Sequence, residues 1–420
     1  MLDTLVSAWK AADIRAKILF TLGIFLVFRF GAHVPVPGVD AEAFRQMLGT
    51  GTLFGLIDVI SGGALGNVAV FAMGIMPYIN ASIIMQLLTV VIPHLEKLAK
   101  EGEEGRKKIV QYTRYGTVIL AFIQAIGMAV FFGRTGILET PTFASHLVVI
   151  ISLTAGTAFL MWLGELITEK GIGNGISLII FAGIVSGIPG GITAFHAMWT
   201  HGEINILAVA AFGIMGLLII AGIVNIHEGQ RRIPVQYAKR VVGRKVYGGQ
   251  STHIPLKVNQ AGVIPVIFAM SILLFPTTIA QWFPDNSFAV WITNIFNFTS
   301  IPYMIMYATL IIFFAYFYTA VTFNPQDVAD NMKKYGGFIP GLRPGKPTSE
   351  YIDRVLTRIT LAGALFLAFI ALLPNLTMGI TGLNIAFGGT AMIIVVGVAL
   401  ETMKQLESQL MMRHYQGFMR

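Results

Sequence analysis

Gly74-Ile-Met-Pro77-Tyr-Ile79, in the first half of the chain, has a counterpart in Gly262-Val-Ile-Pro265-Val-Ile267 in the second. Each hexapeptide sits inside a long apolar run and sets a glycine, a proline and a branched aliphatic residue at the same spacing. Ile184-Val-Ser-Gly187 and Ile394-Val-Val-Gly397 form another such pair. Matches this short also arise by chance in apolar helices, so the pairs leave both a duplicated fold and coincidence open. What they fix is the question: does each lie at the same place in one of two related membrane-embedded halves?

Composition says that the surroundings are lipid. Asp, Glu, Lys and Arg make up 12% of the 420 residues, against roughly a quarter in a soluble domain, while 55% are hydrophobic and mean hydropathy is +0.73. Runs near the roughly 20 apolar residues that a bilayer-crossing helix needs recur along the whole chain. Lys10, Arg15 and Lys17 before the first run resemble the start of a signal peptide, but no small-residue cleavage site follows, so a retained first span is expected. There is no cysteine, which excludes disulfides and thiolate metal sites.

Apolar runs bounded by charge, Gly and Pro predict spans near 18–36, 68–92, 114–133, 147–167 and 176–195, then 206–226, 261–281, 303–323, 359–376 and 384–403. With a cytoplasmic N-terminus and strict alternation, only Arg29, Arg45 and Arg134 of the 29 Lys and Arg fall at or near the outer side. This is the bias that the positive-inside rule describes, and it predicts both termini in the cytoplasm. Five spans per half make the second half enter from the opposite side, as in an inverted repeat. The expected fold is an all-α polytopic membrane protein of ten transmembrane helices in two inverted pseudo-symmetric halves of five. Residues 1–200 would form the first half. Residues 201–420 would form the second, with large cytoplasmic loops at 227–257 and 324–354.

Between spans one and two, Phe54 to Gly66 is apolar, too short to cross, and broken by Gly62, Gly63 and Gly66. It reads as a re-entrant half-helix or as a loop on the outer surface; the former needs protein or a watery cavity around its backbone. The interiors of spans two, three and five to nine lack charged residues and His, which counts against proton or sodium coupling. Arg29, Glu165 and Glu401 lie toward span ends, where snorkelling is the simpler reading. Gly341-Leu-Arg-Pro-Gly345-Lys346-Pro-Thr348 is one residue short of a phosphate loop and has Pro347 where a magnesium-holding hydroxyl belongs. No paired acids, His cluster or activated Ser can be assembled, so no catalytic, metal or cofactor site is expected.

Several stretches together resemble the SecY/Sec61-alpha family of preprotein translocase channels, over essentially the whole chain. They are Pro77-Tyr-Ile-Asn-Ala-Ser-Ile-Ile84, Gly105 to Tyr115, Gln236-Tyr-Ala-Lys-Arg-Val-Val-Gly243, Pro255-Leu-Lys-Val-Asn-Gln-Ala-Gly-Val-Ile-Pro265 and Phe338-Ile-Pro-Gly-Leu-Arg-Pro-Gly345. The resemblance implies a channel that passes unfolded preproteins across the bacterial plasma membrane and releases hydrophobic segments, signal peptides among them, sideways into lipid. Matched by position, the pore ring would be Ile79, Ile83, Ile184, Ile267 and Ile394, four of which belong to the half-to-half pairs above. The plug would be residues 54–66, with Leu56, Ile57, Val59, Ile60 and Leu65 its apolar face. Thr89, Gln124 and Asn259 would form a polar cluster at a lateral gate between span two and the span-seven side of the other half. Arg240, Arg244, Lys245, Arg343 and Tyr351 would lie where SecA or the ribosome docks, with ribosomal RNA the one nucleic acid in reach. SecE and SecG would be the membrane partners, and the drive would come from outside the chain.

Each of these residues also has a plainer reading: helix packing for the isoleucines, interhelical hydrogen bonding for the gate residues, topogenic charge for the basic loops. A facilitator for a neutral solute and an intramembrane enzyme are the rival functions. The first would need a small polar central site, the second the reactive groups that are absent.

Overall fold

The computed structural model describes residues 2–47, 53–200, 206–237, 240–242, 245–247, 251–283, 286–297, 300–381 and 389–418. The first half runs α1 (Leu2–Lys10), α2 (Ala12–Gly31), α3 (Ala41–Met47), α4 (Leu53–Ser61), α5 (Met76–Val91), α6 (Pro93–Lys100), α7 (Glu103–Thr135), α8 (Phe143–Lys170) and α9 (Gly175–Thr200). The second runs α10 (Ile206–Glu228), β1 (Gln230–Tyr237), β2 (Arg240–Val242), β3 (Lys245–Tyr247), β4 (Ser251–Lys257), α11 (Ile264–Gln281) and α12 (Ser287–Ile295). It ends with α13 (Ile301–Thr322), α14 (Pro325–Lys334), β5 (Gly337–Phe338), α15 (Lys346–Thr381) and α16 (Gly389–Phe418).

The ten expected spans correspond to α2, α5, α7 to α11, α13, α15 and α16. Among the described residues, six helices are by themselves long and apolar enough to cross a membrane; α5 and α6, bent by 100° at Ile92, make a seventh if taken together. Of the others, α2 carries Asp13, Arg15, Lys17 and Arg29, and α11 begins only at Ile264, after the turn at Gly262.

Two boundaries differ from the sequence expectation. The first span begins at Ala12 and stops at Gly31, because Pro35 and Pro37 remove backbone donors that a continuing helix needs. The second, expected from residue 68, becomes helical only at Met76; residues 62–75 fold into turns largely buried in the protein. Lipid offers that backbone no partners, and protein supplies them: Val36 N–H donates to Val68 O at 2.9 Å, Val70 N–H to Val34 O at 3.0 Å and Ala69 N–H to Ala64 O at 2.8 Å. Ala64, Leu65, Val68, Ala69, Phe71 and Ala72 are buried.

The polar end of the bundle carries a small sheet that the all-helical reading did not foresee. Strand β1 pairs antiparallel with β4, from Gln230 opposite Lys257 to Gln236 opposite Ser251, and with β5 at Gln236 and Tyr237. Ile233 and Val235 alternate inward with exposed neighbours and pack with Leu256, Met332, Ile339 and Ile352. Period-two burial over so few residues is weak against the surrounding charge, and β5 is supplied from more than 90 residues away. The sheet ties together the two long basic loops.

Candidate functional site

Helices α5 and α11 begin alike. Gly74 and Gly262 have left-handed φ of +58° and +65°, a conformation that side chains resist, and Pro77 and Pro265 follow in the first helical turn, where a missing N–H costs nothing. The shared hexapeptide is thus a helix-start signal that delivers Ile79 and Ile267 at the same depth of their helices. Ile83 stands one turn further on the same face of α5. Ile184 arrives on α9 and Ile394 on α16. All five are buried, and all belong to one continuous apolar cluster that joins the two halves. Ile79 and Ile267 also line a cavity of about 460 Å³ that opens on one side of this cluster, with Arg114, Glu165, Glu169 and Asn174 in its wall. Arg114 Nε donates to Glu165 Oε1 at 2.8 Å, so Glu165 is an ion-pair partner rather than a snorkelling end group.

Helix α4 packs against α9. Its Ile57 and Ile60 pack against the isoleucine cluster, Val59 is half-buried, and Leu65, just beyond the helix, is fully buried in a second cluster with Phe44 and Phe132. The side chain of Leu56 lies outside the described residues. Gly62 and Gly63 turn the chain with φ of +71° and +83°. Gly63 N–H donates to Asp58 O at 2.8 Å, Leu65 N–H to Ser61 Oγ at 3.2 Å and Gly66 N–H to Asp58 Oδ1 at 2.6 Å. Arg29 is exposed, and its Nη1 donates to Gly62 O at 2.8 Å. Of the two readings of residues 54–66, the structure has the re-entrant one, with its backbone bonded to protein.

The expected gate residues are not gathered in one place. Gln124 on α7 is buried and, with Asn80 on α5 and Ser271 on α11, lines a cavity of about 50 Å³ that also touches Ile57 and Leu65. Thr89 turns back to bond Gln86 O on its own helix at 2.7 Å. Asn259 donates to Gly262 O at 2.9 Å and pairs with His227 at 3.3 Å, lining a separate cavity of about 510 Å³ with Lys257 and Lys404. Ser271, whose Oγ lies 3.7 Å from Met76 Sδ, is the residue that the sequence reading missed. The signal was available: it is the one hydroxyl in the apolar stretch Ile264–Leu274. Beyond it, Trp282 covers Gly127 of α7 so closely that a methyl group there has no room.

At the polar end, Arg240 and Lys245 belong to the β2–β3 hairpin, with their side chains outside the described residues, as is Arg244 altogether. Arg343 is exposed and its carbonyl accepts from the Thr348 hydroxyl at 2.8 Å; Tyr351 is half-buried against the sheet's core. Among the described residues, no His, Asp and Glu converge as metal ligands.

A bundle of membrane-length helices whose two halves meet in one continuous apolar cluster, with the short helix α4 packed against it, defines a polytopic membrane protein. A family model described as SecY matches residues 69–403. The chain is 51% identical to the protein translocase subunit SecY of Streptomyces coelicolor and 50% identical to that of Halalkalibacterium halodurans, each comparison covering 100% of both chains. It is 48% identical to that of Escherichia coli K12, over 96% of this chain and 94% of the relative. In fold it is similar to a solved protein-conducting channel, with a TM-score of 0.68 at 20% identity over 94% of this chain and 92% of that one. Sec61 in a canine ribosome-channel complex gives 0.64 at 19%, over the same 94% and 92%. The chain belongs to the SecY family.

Proposed function

We propose that this chain itself forms the conducting path of a protein translocase, with the isoleucines at positions 79, 83, 184, 267 and 394 as its constriction and residues 54–66 as its plug. The chain is a translocase channel subunit and not an enzyme. The observation that carries the reading of the path is the joint burial of the five side chains, from four helices of both halves, in one apolar cluster against which Ile57 and Ile60 of the plug also pack. Such a ring excludes water and ions by dewetting and offers no directional bond that would select one passing sequence over another. A solute carrier would need polar ligands at that point.

The remaining assignments follow from this path. Residues 1–200 and 201–420 are the two halves, and the seam between α5 with α7 and α11 with α13 is the lateral gate to membrane lipid. Gln124 faces that seam, with Thr89 and Asn259 as outlying members whose bonds would change as it opens. Unfolded preproteins and their signal peptides are the substrate, in the bacterial plasma membrane, with both termini cytoplasmic. The basic loops, through Arg240, Arg244, Lys245, Arg343 and Tyr351, receive SecA or a ribosome, and affinity for either should fall as salt rises. Ribosomal RNA would be the nucleic acid contacted there. SecE and SecG complete the complex in the membrane.

A photoreactive amino acid at position 79, with a stalled secretory precursor, tests the path. Adducts that require SecA and ATP are expected. Absence of adducts, alongside efficient crosslinking from position 240, would return the neutral-solute carrier to first place.

A further inference from the structure

Helix α4 ends at Ser61, and the carbonyls at such an end lack intrahelical partners and carry partial negative charge. Two groups attend to this one. Asp58 folds the following turn by accepting from Gly66, which leaves the Gly62 carbonyl facing α2. That carbonyl takes the Arg29 guanidinium at 2.8 Å, across 33 residues of sequence.

Arg29 stands on a strip of α2 where Leu26 and Phe30 are among the most exposed side chains of the helix, as lipid-facing residues are. Among the described residues, no carboxylate lies within ion-pair distance of it. A cation kept only for topology needs no fixed partner; this one, though exposed, gives a guanidinium donor to a backbone oxygen of α4's end. Gly62 is held on its other side as well, where a Cβ would lie 2.9 Å from Ser186 Oγ and 3.1 Å from Gly183 Cα. The pivot of the re-entrant segment is therefore gripped between a charge-assisted bond from α2 and backbone packing from α9. The bond is of the stronger kind, because its donor is ionised.

We propose that Arg29 is a positioning residue that holds the plug seated, by capping the C-terminus of α4 from a neighbouring helix with a bond that is given up when the plug leaves. This rests on residues 54–66 being the plug. It assigns the resting seal two parts of different chemistry: apolar contact at Ile57 and Ile60, and one cationic clasp at Gly62. The clasp gives the seal direction, since it fixes where the plug returns after each passage.

The test is ion conductance of the resting, reconstituted translocase complex, with export of a precursor carrying a defective signal peptide as a second readout. Arg29→Met keeps the stem and removes the donors; resting conductance should rise about tenfold, the change equivalent to roughly 1.4 kcal/mol, and the defective precursor should pass. Arg29→Lys should restore most of the seal. In a chain lacking residues 54–62, Arg29→Met should add nothing. If the deletion leaks and Arg29→Met does not, the clasp is overturned and the plug stands. If the deletion itself does not leak, the plug reading falls and takes the clasp with it. A further rise from Arg29→Met in the deleted chain would place its effect elsewhere and overturn the proposal. Should Arg29→Met fail to assemble, Arg29→Gln against Arg29→Lys decides: a leaky Gln and a tight Lys support the clasp, and equal behaviour overturns it.

Discussion

Gly183→Ala is expected to leave the resting channel leaky while export continues, and Gly183→Val more so. A Cβ at this point of α9 would stand 2.2 Å from Ile60 O and 3.1 Å from Ile60 C, backbone atoms of α4 that no rotamer change can move aside. One of the two helices must shift. Helix α9 is held along its length against α8 and α16, and Gly175 lies so close to Gly164 O that this packing also leaves no room for a methyl. Among the described residues, the short α4 is kept in place by Ile57, Ile60 and its turn, so it is the one that yields. Overpacking of this kind costs about 1–3 kcal/mol, enough to shift a seated-to-unseated ratio by roughly ten- to a hundredfold. Resting conductance in planar bilayers measures it. Gly187→Ala, one turn along α9 with nothing within 4 Å of its Cβ, should remain tight. Equal conductance for the two variants would mean that α4 does not seal the channel.

What could be read in advance depended on how far each feature reaches along the chain. The spans are local: twenty apolar residues and a charge bias announce them, and ten helices stand near where the sequence put them. The shared helix start was legible for a related reason, because Gly74-to-Ile79 and Gly262-to-Ile267 each encode a left-handed turn, a first-turn proline and a buried isoleucine within six residues. Long-range pairings were not legible. Arg29 looks like any interfacial arginine until Gly62 is brought beside it, and Glu165 like any span-end acid until Arg114 is. The sheet has the same cause, since Gln236 meets Phe338 only in three dimensions. The gate shows a subtler limit. Thr89, Gln124 and Asn259 are polar residues in or beside apolar helices, but which face each presents depends on a helix's rotation. Thr89 bonds its own helix and Asn259 bonds His227, while Ser271 faces the seam.

Replacing Ile79, Ile184 and Ile267 together with Gly is expected to raise resting ion flux strongly without abolishing export. The three are nearly or fully buried in the cluster where the halves meet, and each removal deletes four side-chain carbons from a contact that has no polar component to hold water back. A large-to-small change in a packed interior usually leaves a dry cavity, at about 2–5 kcal/mol for Ile to Ala. Here the cluster borders the 460 Å³ cavity on Ile79 and Ile267, whose wall already carries Arg114, Glu165 and Asn174, so water has a polar route to the gap. The missing carbons should therefore be replaced by a hydrated gap, and dewetting, which needs a narrow apolar neck, fails. Export survives because the ring makes no specific bond to the passing chain. The substitution must be compared with Ile179→Gly, a buried α9 residue that does not line this cavity, to separate loss of the neck from loss of helix stability, for which Gly costs about 1 kcal/mol per site. Leak from the triple variant with a tight Ile179→Gly channel would identify the neck. Unchanged conductance in both would assign these isoleucines to ordinary packing and move the seal to α4 alone, in which case the Gly183 variants should account for all of it.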